Sequence, residues 1–126
     1  MHKTVNLIAR ILMSQIFIIA GIGKIAGYAG TQQYMQGHGV PGALLPLVIL
    51  LEVGGGLAIL LGFLTRLSAW ALALFCIAAA LIFHTHFAEY SQQINFMKNL
   101  VMAGGLMLLA TYGADAWSVD ALRKRR

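Results

Sequence analysis

Residues 44–63 read LLPLVILLEVGGGLAILLGF and contain one carboxylate, Glu52, and no other charged side chain. A helix of these twenty residues is about 30 Å long, which matches the thickness of the hydrocarbon core of a bilayer. A charge near the middle of a bilayer costs about 2.5–3.5 kcal/mol on insertion scales, so such a residue is usually paired and often functional. The stretch therefore predicts a membrane-spanning helix that carries a buried polar site.

The remainder of the chain is similarly apolar. Of its 126 residues, 60% are hydrophobic and 10% are charged, whereas soluble domains carry about 25% charged residues. We therefore predict an all-α membrane protein, a single domain over residues 1–126 that forms an up-down-up-down bundle of four transmembrane helices in the lipid bilayer. The predicted spans are residues 5–23, 44–63, 67–87 and 95–113. The first is expected to be retained rather than cleaved as a signal, because Arg10 interrupts its apolar stretch.

The basic residues predict how the bundle is oriented. The N-terminus, the second connection and the C-terminus share one side, which collects Lys3, Arg66 and the basic run at residues 123–126. Since Lys and Arg accumulate on the cytoplasmic side of membranes, both termini are expected in the cytoplasm. Topology and contact with anionic lipid explain the net charge of +5, and no nucleic acid is expected as a partner. In the long outer loop, residues 31–37 are expected to form a short interfacial helix.

Polar residues recur at helical spacing and predict a site in the outer half of the bundle. On the first helix, Arg10 and Lys24 share one face, which is expected to turn away from lipid. We expect Lys98 to be the cation that pairs with Glu52, with Arg10 as the next choice and Lys24 also within reach. A structural ion pair that only fixes helix registry is the alternative. Depth along the helices brings together Glu52, His84, Lys98 and Asn99, with Lys24 at the rim.

Other kinds of site are not expected. Cys76 is the only cysteine, so the chain can form neither an intrachain disulfide nor a cysteine-rich metal site. His84 and His86 are two positions apart and would point to different faces of a helix, so they do not predict a metal site. Ser-His-Asp arrangements, phosphate loops and dinucleotide fingerprints do not occur in the sequence.

Several short motifs follow one another along the chain: Arg10; Phe17-x-x-Ala20-Gly21-x-x-Lys24; Glu52-x-x-Gly55-Gly56; Gly62-x-x-Thr65-Arg66; Phe83-His84; and Phe96-x-Lys98-Asn99. Together they resemble the DoxX/DoxD-like family of small integral membrane proteins. The resemblance covers nearly the full length and is greatest to the short bacterial members of the inner membrane. It implies a four-helix fold in that membrane. Some members are named oxidoreductase or quinol-oxidase subunits after DoxD, a subunit of a thiosulfate:quinone oxidoreductase that works with a second polypeptide, DoxA; this chain has no evident DoxA-like portion.

Three functions follow as hypotheses. The first is a quinone-linked oxidoreductase subunit in which Glu52, His84 and Lys98 act on a quinone head. Because no residue of the chain holds an electron stably, electrons would come from a membrane or periplasmic redox partner. The alternatives are a non-enzymatic assembly or scaffold module and a small-solute or proton transporter, which would need a homo-oligomer to form a wide enough pore. Residues expected to bind the quinone are Arg10, Phe17, Lys24, Phe83, Asn99 and Met102.

Overall fold

The computed structural model describes residues 2–85 and 87–124, and these residues form helices and connecting segments without a β-strand. Four of the helices are long and apolar enough to cross a membrane, which confirms the predicted class of fold. The side of the membrane that holds the termini stays a prediction, and His86, Arg125 and Arg126 lie outside the described residues. The helices are α1 (His2–Ala26), α2 (Tyr28–Gly37), α3 (Gly42–Leu61), α4 (Thr65–Phe83), α5 (Tyr90–Tyr112) and α6 (Val119–Lys124).

Helix α3 is the least regular of the four spans. It opens with a 3₁₀ turn at Gly42–Leu44 and continues as an α-helix. At Leu50–Gly54 it widens into a π-helical turn, and Glu52 lies within that turn. Wide turns of this type often occur at functional sites because they change the direction in which side chains point.

Small residues bring α1 and α3 close together. A methyl group added at Gly21 would lie 2.5 Å from Cγ2 of Val53, and one added at Gly56 would lie 2.8 Å from Cγ1 of Ile18. Only glycine fits at such distances, as is common where membrane helices pack closely. This contact sets the end of α1 beside the π-helical turn of α3.

The core lies between the helix pairs. Helix α1 packs along α3, α4 packs along α5, and α3 also contacts α4. Large apolar side chains such as Phe17, Ile59, Leu72 and Leu106 fill the centre. The outer surface is also apolar, and Leu74, for example, is 63% exposed. A protein that buries one apolar face and exposes another is suited to lipid rather than to water.

A sharp turn links α3 to α4. Gly62 and Leu64 both adopt the left-handed backbone conformation, with φ of 70° and 46°. The connection, residues 62–64, therefore lies two residues earlier than the predicted one at residues 64–66, since α3 ends at Leu61 and Thr65 already begins α4. We call this end of the bundle, with residue 2 and α6, the termini side. The opposite end, with α2 and the α4–α5 connection, is the loop side.

Candidate functional site

A cavity of about 410 Å³ lies among the four spans near the loop side. Its walls come from α1, α3, α4 and α5, and residues of α2 cover part of it. Most of the lining side chains are apolar. The predicted site residues that line it are Phe17, Lys24, Glu52, Phe83, His84, Asn99 and Met102, whereas Arg10 and Lys98 are not among its lining residues.

Glu52 forms an ion pair with Lys24, and this corrects the expected pairing with Lys98 or Arg10. The distance between Nζ of Lys24 and Oε1 of Glu52 is 2.7 Å. Glu52 is 2% exposed, and the Lys24 side chain is 29% exposed. Lys24 is the partner because α1 approaches α3 closely, with a Cβ at Gly21 placed only 3.3 Å from Cβ of Glu52. Lys98 is exposed on the outside of α5.

The ion pair leaves Glu52 with unused capacity to accept hydrogen bonds. Nζ of Lys24 contacts Oε1, but each oxygen of a carboxylate can accept two hydrogen bonds, so this contact uses only part of the capacity. Buried carboxylates are normally hydrogen-bonded as well as paired. An oxygen in this state, on the wall of a cavity, is suited to accept a hydrogen bond or a proton from a bound molecule.

His84 lies at the edge of the cavity and is held by Gln92, which was not among the predicted site residues. Nδ1 of His84 lies 2.9 Å from Oε1 of Gln92, at the start of α5. With the amide oxygen as acceptor, His84 donates from Nδ1, which leaves Nε2 free to accept. Gln92 lies in the polar stretch Ser91-Gln92-Gln93, where spacing alone does not distinguish one glutamine from its neighbour.

Helix α2 covers the cavity on the loop side, and it includes the short helix predicted at residues 31–37. Met35 is 5% exposed and lines the cavity together with Tyr34. The ring of Tyr34 stacks on that of Phe83, with the centroids 5.3 Å apart. Nε2 of Gln32 donates to the carbonyl oxygen of Gly42 at 3.1 Å, which ties α2 to α3. Tyr34 and Met35 were not predicted as site residues, although together with Tyr28 they are the large side chains of an otherwise small and polar helix.

Arg10 lies at the other end of the bundle. It is 1% exposed, and about 21 Å of helix separates it from Lys24. Its guanidinium donates to the carbonyl oxygen of Leu60 and to Oδ1 of Asn6, both at 2.9 Å, and to the carbonyl oxygen of Trp117. Leu60 carries one of the last carbonyls of α3, which have no partner within the helix. Arg10 therefore caps the C-terminus of α3 and binds it to the segment before α6.

Asp120 of α6 caps the N-terminus of α4, also at the termini side. Its carboxylate accepts hydrogen bonds from the backbone N–H groups of Leu64 and Thr65 at 2.8 and 2.9 Å, and from the Thr65 hydroxyl at 2.7 Å. Partial burial acts to raise the pKa of Asp120, but the bonds from Thr65 and Leu64, with the charge of Arg123, lower it below its ordinary value. We call Arg10, Gly62, Thr65 and Asp120 the termini-side clamp. Two of the motifs used for the resemblance thus have structural contacts here, far from the cavity.

The fold and the site define a class: a small four-helix membrane protein with an apolar cavity and a buried ion pair near one end. Residues 5–85 match the family model for DoxX. The chain is 58% identical to the inner membrane protein YqjF of Escherichia coli (strain K12) over 120 residues, which cover 95% of this chain and 92% of that protein. It is 40% identical to the inner membrane protein YphA of the same organism over 121 residues, or 90% and 86% of the two chains. No solved structure matches it.

The chain belongs to the DoxX family, which confirms the resemblance seen in its motifs. With its four apolar spans, it is a multi-pass protein of the inner membrane.

Proposed function

We propose that the cavity binds the head group of a quinone and that the protein serves as a membrane subunit of a quinone-linked oxidoreductase. The observation that carries this proposal is the Glu52–Lys24 ion pair on the wall of an otherwise mainly apolar cavity of about 410 Å³. Pockets for small organic ligands typically measure about 300–1,000 Å³ and combine apolar walls with a few polar groups. A quinone head matches that pattern, since it is a flat apolar ring with two carbonyl oxygens.

The polar side chains of the cavity supply the contacts that such a head requires. Lys24 donates to one carbonyl oxygen, and Glu52, whose carboxylate has acceptor capacity beyond its contact with Lys24, accepts from the hydroxyl of the reduced form. His84 offers Nε2 as an acceptor at the edge of the cavity. Nδ2 of Asn99 donates one hydrogen bond to the carbonyl oxygen of Asn95, which leaves the amide oxygen and the second N–H of Asn99 for a ligand.

The apolar lining residues contact the ring. Phe17, Phe83 and Met102 lie on three different helices around the cavity, and aromatic and thioether groups pack well against flat rings. Lys98, predicted to act on the quinone, has no role in this proposal because its side chain is exposed on the outside of α5.

The redox balance requires a second protein. Reduction of a quinone to a quinol takes two electrons and two protons. In this proposal the electrons come from a redox partner protein at the membrane, and the protons reach the two oxygens of the ring through Glu52 and Lys24. The chain contributes binding, orientation and proton exchange.

The test is the thermal stability of the detergent-solubilised protein with and without a short-chain quinone analogue. Wild type is compared with Glu52→Gln, and Glu89→Gln serves as the matched control, because Glu89 is an exposed carboxylate outside the cavity. We expect saturable stabilisation of wild type and of the control, reaching about 2.7 kcal/mol at 100 times Kd, and at least tenfold weaker binding by Glu52→Gln.

A second variant tests the same site independently, in case Glu52→Gln does not fold. Ala79→Phe places a ring in the cavity without removing either member of the ion pair, so it should also abolish the response. An equal response of all variants would mean that the analogue binds elsewhere and would refute the site. No response by folded wild-type protein would refute quinone binding and favour the assembly module, which is then tested by identifying proteins that co-purify with the chain.

A further inference from the structure

The cavity reaches the outer surface of the bundle along one edge of α4. Phe75, Ala78 and Ile82 follow one another at helical spacing, and all three line the cavity. Ile82 is nevertheless 41% exposed, and Ala78 is also exposed. Ala78 lies one helical turn from the exposed side chains of Leu74 and Leu81, so it borders the outer surface as well as the cavity. The cavity is therefore open sideways at this edge.

This opening lies within the membrane-spanning part of α4. Ala78 is five residues before Phe83, the last residue of the helix, so it lies about 7.5 Å inside the helix end. The neighbouring side chains Leu74 and Leu81 are apolar and 63% and 60% exposed. An apolar surface at this depth faces hydrocarbon rather than water. On the loop side, by contrast, α2 covers the cavity through Met35 and through the stacking of Tyr34 on Phe83.

The volume of the cavity limits how much of a ligand it can enclose. At about 410 Å³ it is at the small end of the range for pockets that hold drug-sized molecules. A ring with two carbonyl oxygens fits this space, but a ring together with a long apolar chain does not. A ligand with such a chain must leave part of it outside the bundle.

We infer that the ligand is a long-chain, lipid-soluble quinone whose head lies at the Glu52–Lys24 pair and whose chain passes beside Ala78 into the bilayer. This inference rests on the proposed function and adds to it the position of the ligand's chain. The polar head of the ligand then contacts the buried ion pair. Its apolar chain contacts Phe75 and Ile82 and, beyond them, lipid. The bilayer is thus both the source of the ligand and the solvent for its chain.

A bulky residue at the opening should discriminate between quinones by their chains. Ala78→Trp fills the opening but leaves the ion pair untouched. Leu74→Trp is the matched control, because it places the same side chain one turn away on the lipid-facing surface of the same helix, outside the cavity. Binding is measured in nanodiscs for two analogues, one without a chain and one with several isoprenoid units. The apparent Kd of each analogue is compared only between variants, because the partition of that analogue into lipid is the same for all of them.

We expect Ala78→Trp to weaken binding of the long-chain analogue at least tenfold while changing that of the chainless analogue less than threefold, and Leu74→Trp to change neither. The inference is overturned if Ala78→Trp binds the long-chain analogue as wild type does, or if it weakens both analogues equally. Failure of wild type to bind either analogue is a different result, which overturns the proposed function and this inference with it.

Discussion

Replacing Arg10 with methionine tests whether this buried cation is structural. Methionine keeps a side chain of similar length in a position that is 1% exposed. It cannot replace the bonds of the guanidinium to the carbonyl oxygens of Leu60 and Trp117 or to Oδ1 of Asn6. The C-terminus of α3 would lose both its cap and the positive charge that complements the helix dipole.

The expected loss of stability follows from these contacts. An unsatisfied buried acceptor costs about 1–3 kcal/mol, and two backbone carbonyls lose a donor. Both lie near the end of the bundle and are only partly buried, so we use the lower half of that range for each. Loss of the favourable charge at the helix end adds about 0.3–1 kcal/mol, and relief from burying the guanidinium acts in the opposite direction. We expect Arg10→Met to lower the free energy of unfolding by about 2–4 kcal/mol.

The assay is reversible unfolding in mixed detergent micelles, with Arg66→Met as the control. Arg66 lies at the same end of the bundle but is exposed, so its replacement should change stability by less than about 0.5 kcal/mol. Quinone binding by folded Arg10→Met should be unchanged, because about 21 Å of helix separates Arg10 from the ion pair. Equal stability of the two variants would refute the reasoning. Loss of quinone binding by a stable Arg10→Met protein would restore the role that the sequence first suggested for this residue.

Two further predictions concern the termini-side clamp. Gly62→Ala should destabilise the protein by about 2–4 kcal/mol, because φ is 70° and the added methyl would lie 2.7 Å from Nη1 of Arg10. Gly104→Ala is the control, because nothing lies within 4 Å of a methyl group added there. An equal effect of the two substitutions in the unfolding assay would contradict the prediction. The pKa of Asp120 is lowered by folding, so its contribution is complete above the unfolded value of about 3.9 and is lost as the pH falls through the lower folded value. Unfolding measured between pH 7 and pH 3 should therefore show a smaller acid-induced loss for Asp120→Asn than for wild type, whereas parallel curves would exclude this role of Asp120.

Helical periodicity explains why much of the candidate site was found from the sequence. Glu52 stood out because a lone carboxylate in an apolar span must be buried, and Lys24 and His84 followed from depth along their helices. Lys98 was selected by the same argument but is exposed on the outside of α5. Depth sets the level of a side chain in the bundle, but the rotation of each helix about its own axis decides which way that side chain points.

Gln92 and the residues of α2 show a second limit of predicting the site from the sequence. Their positions depend on how a loop folds back over the bundle, and the contacts that fix it, such as Gln32 to Gly42 and Tyr34 on Phe83, join residues far apart in the chain or on different helices. Local spacing carries no information about such contacts, even though it correctly predicted the short helix itself.

The sequence by itself determined that this is a membrane protein of four helices and that Glu52 would need a partner, because the cost of exposing backbone and charge to hydrocarbon depends only on local composition. Only the tertiary structure decided that the partner is Lys24, that Arg10 belongs to the termini-side clamp, and that Ala78 lines the cavity. These features depend on the close approach of α1 to α3 at Gly21 and Gly56 and on the packing of the four spans around the cavity. The relative placement of helices arises from packing between distant segments, which no single segment of the chain encodes.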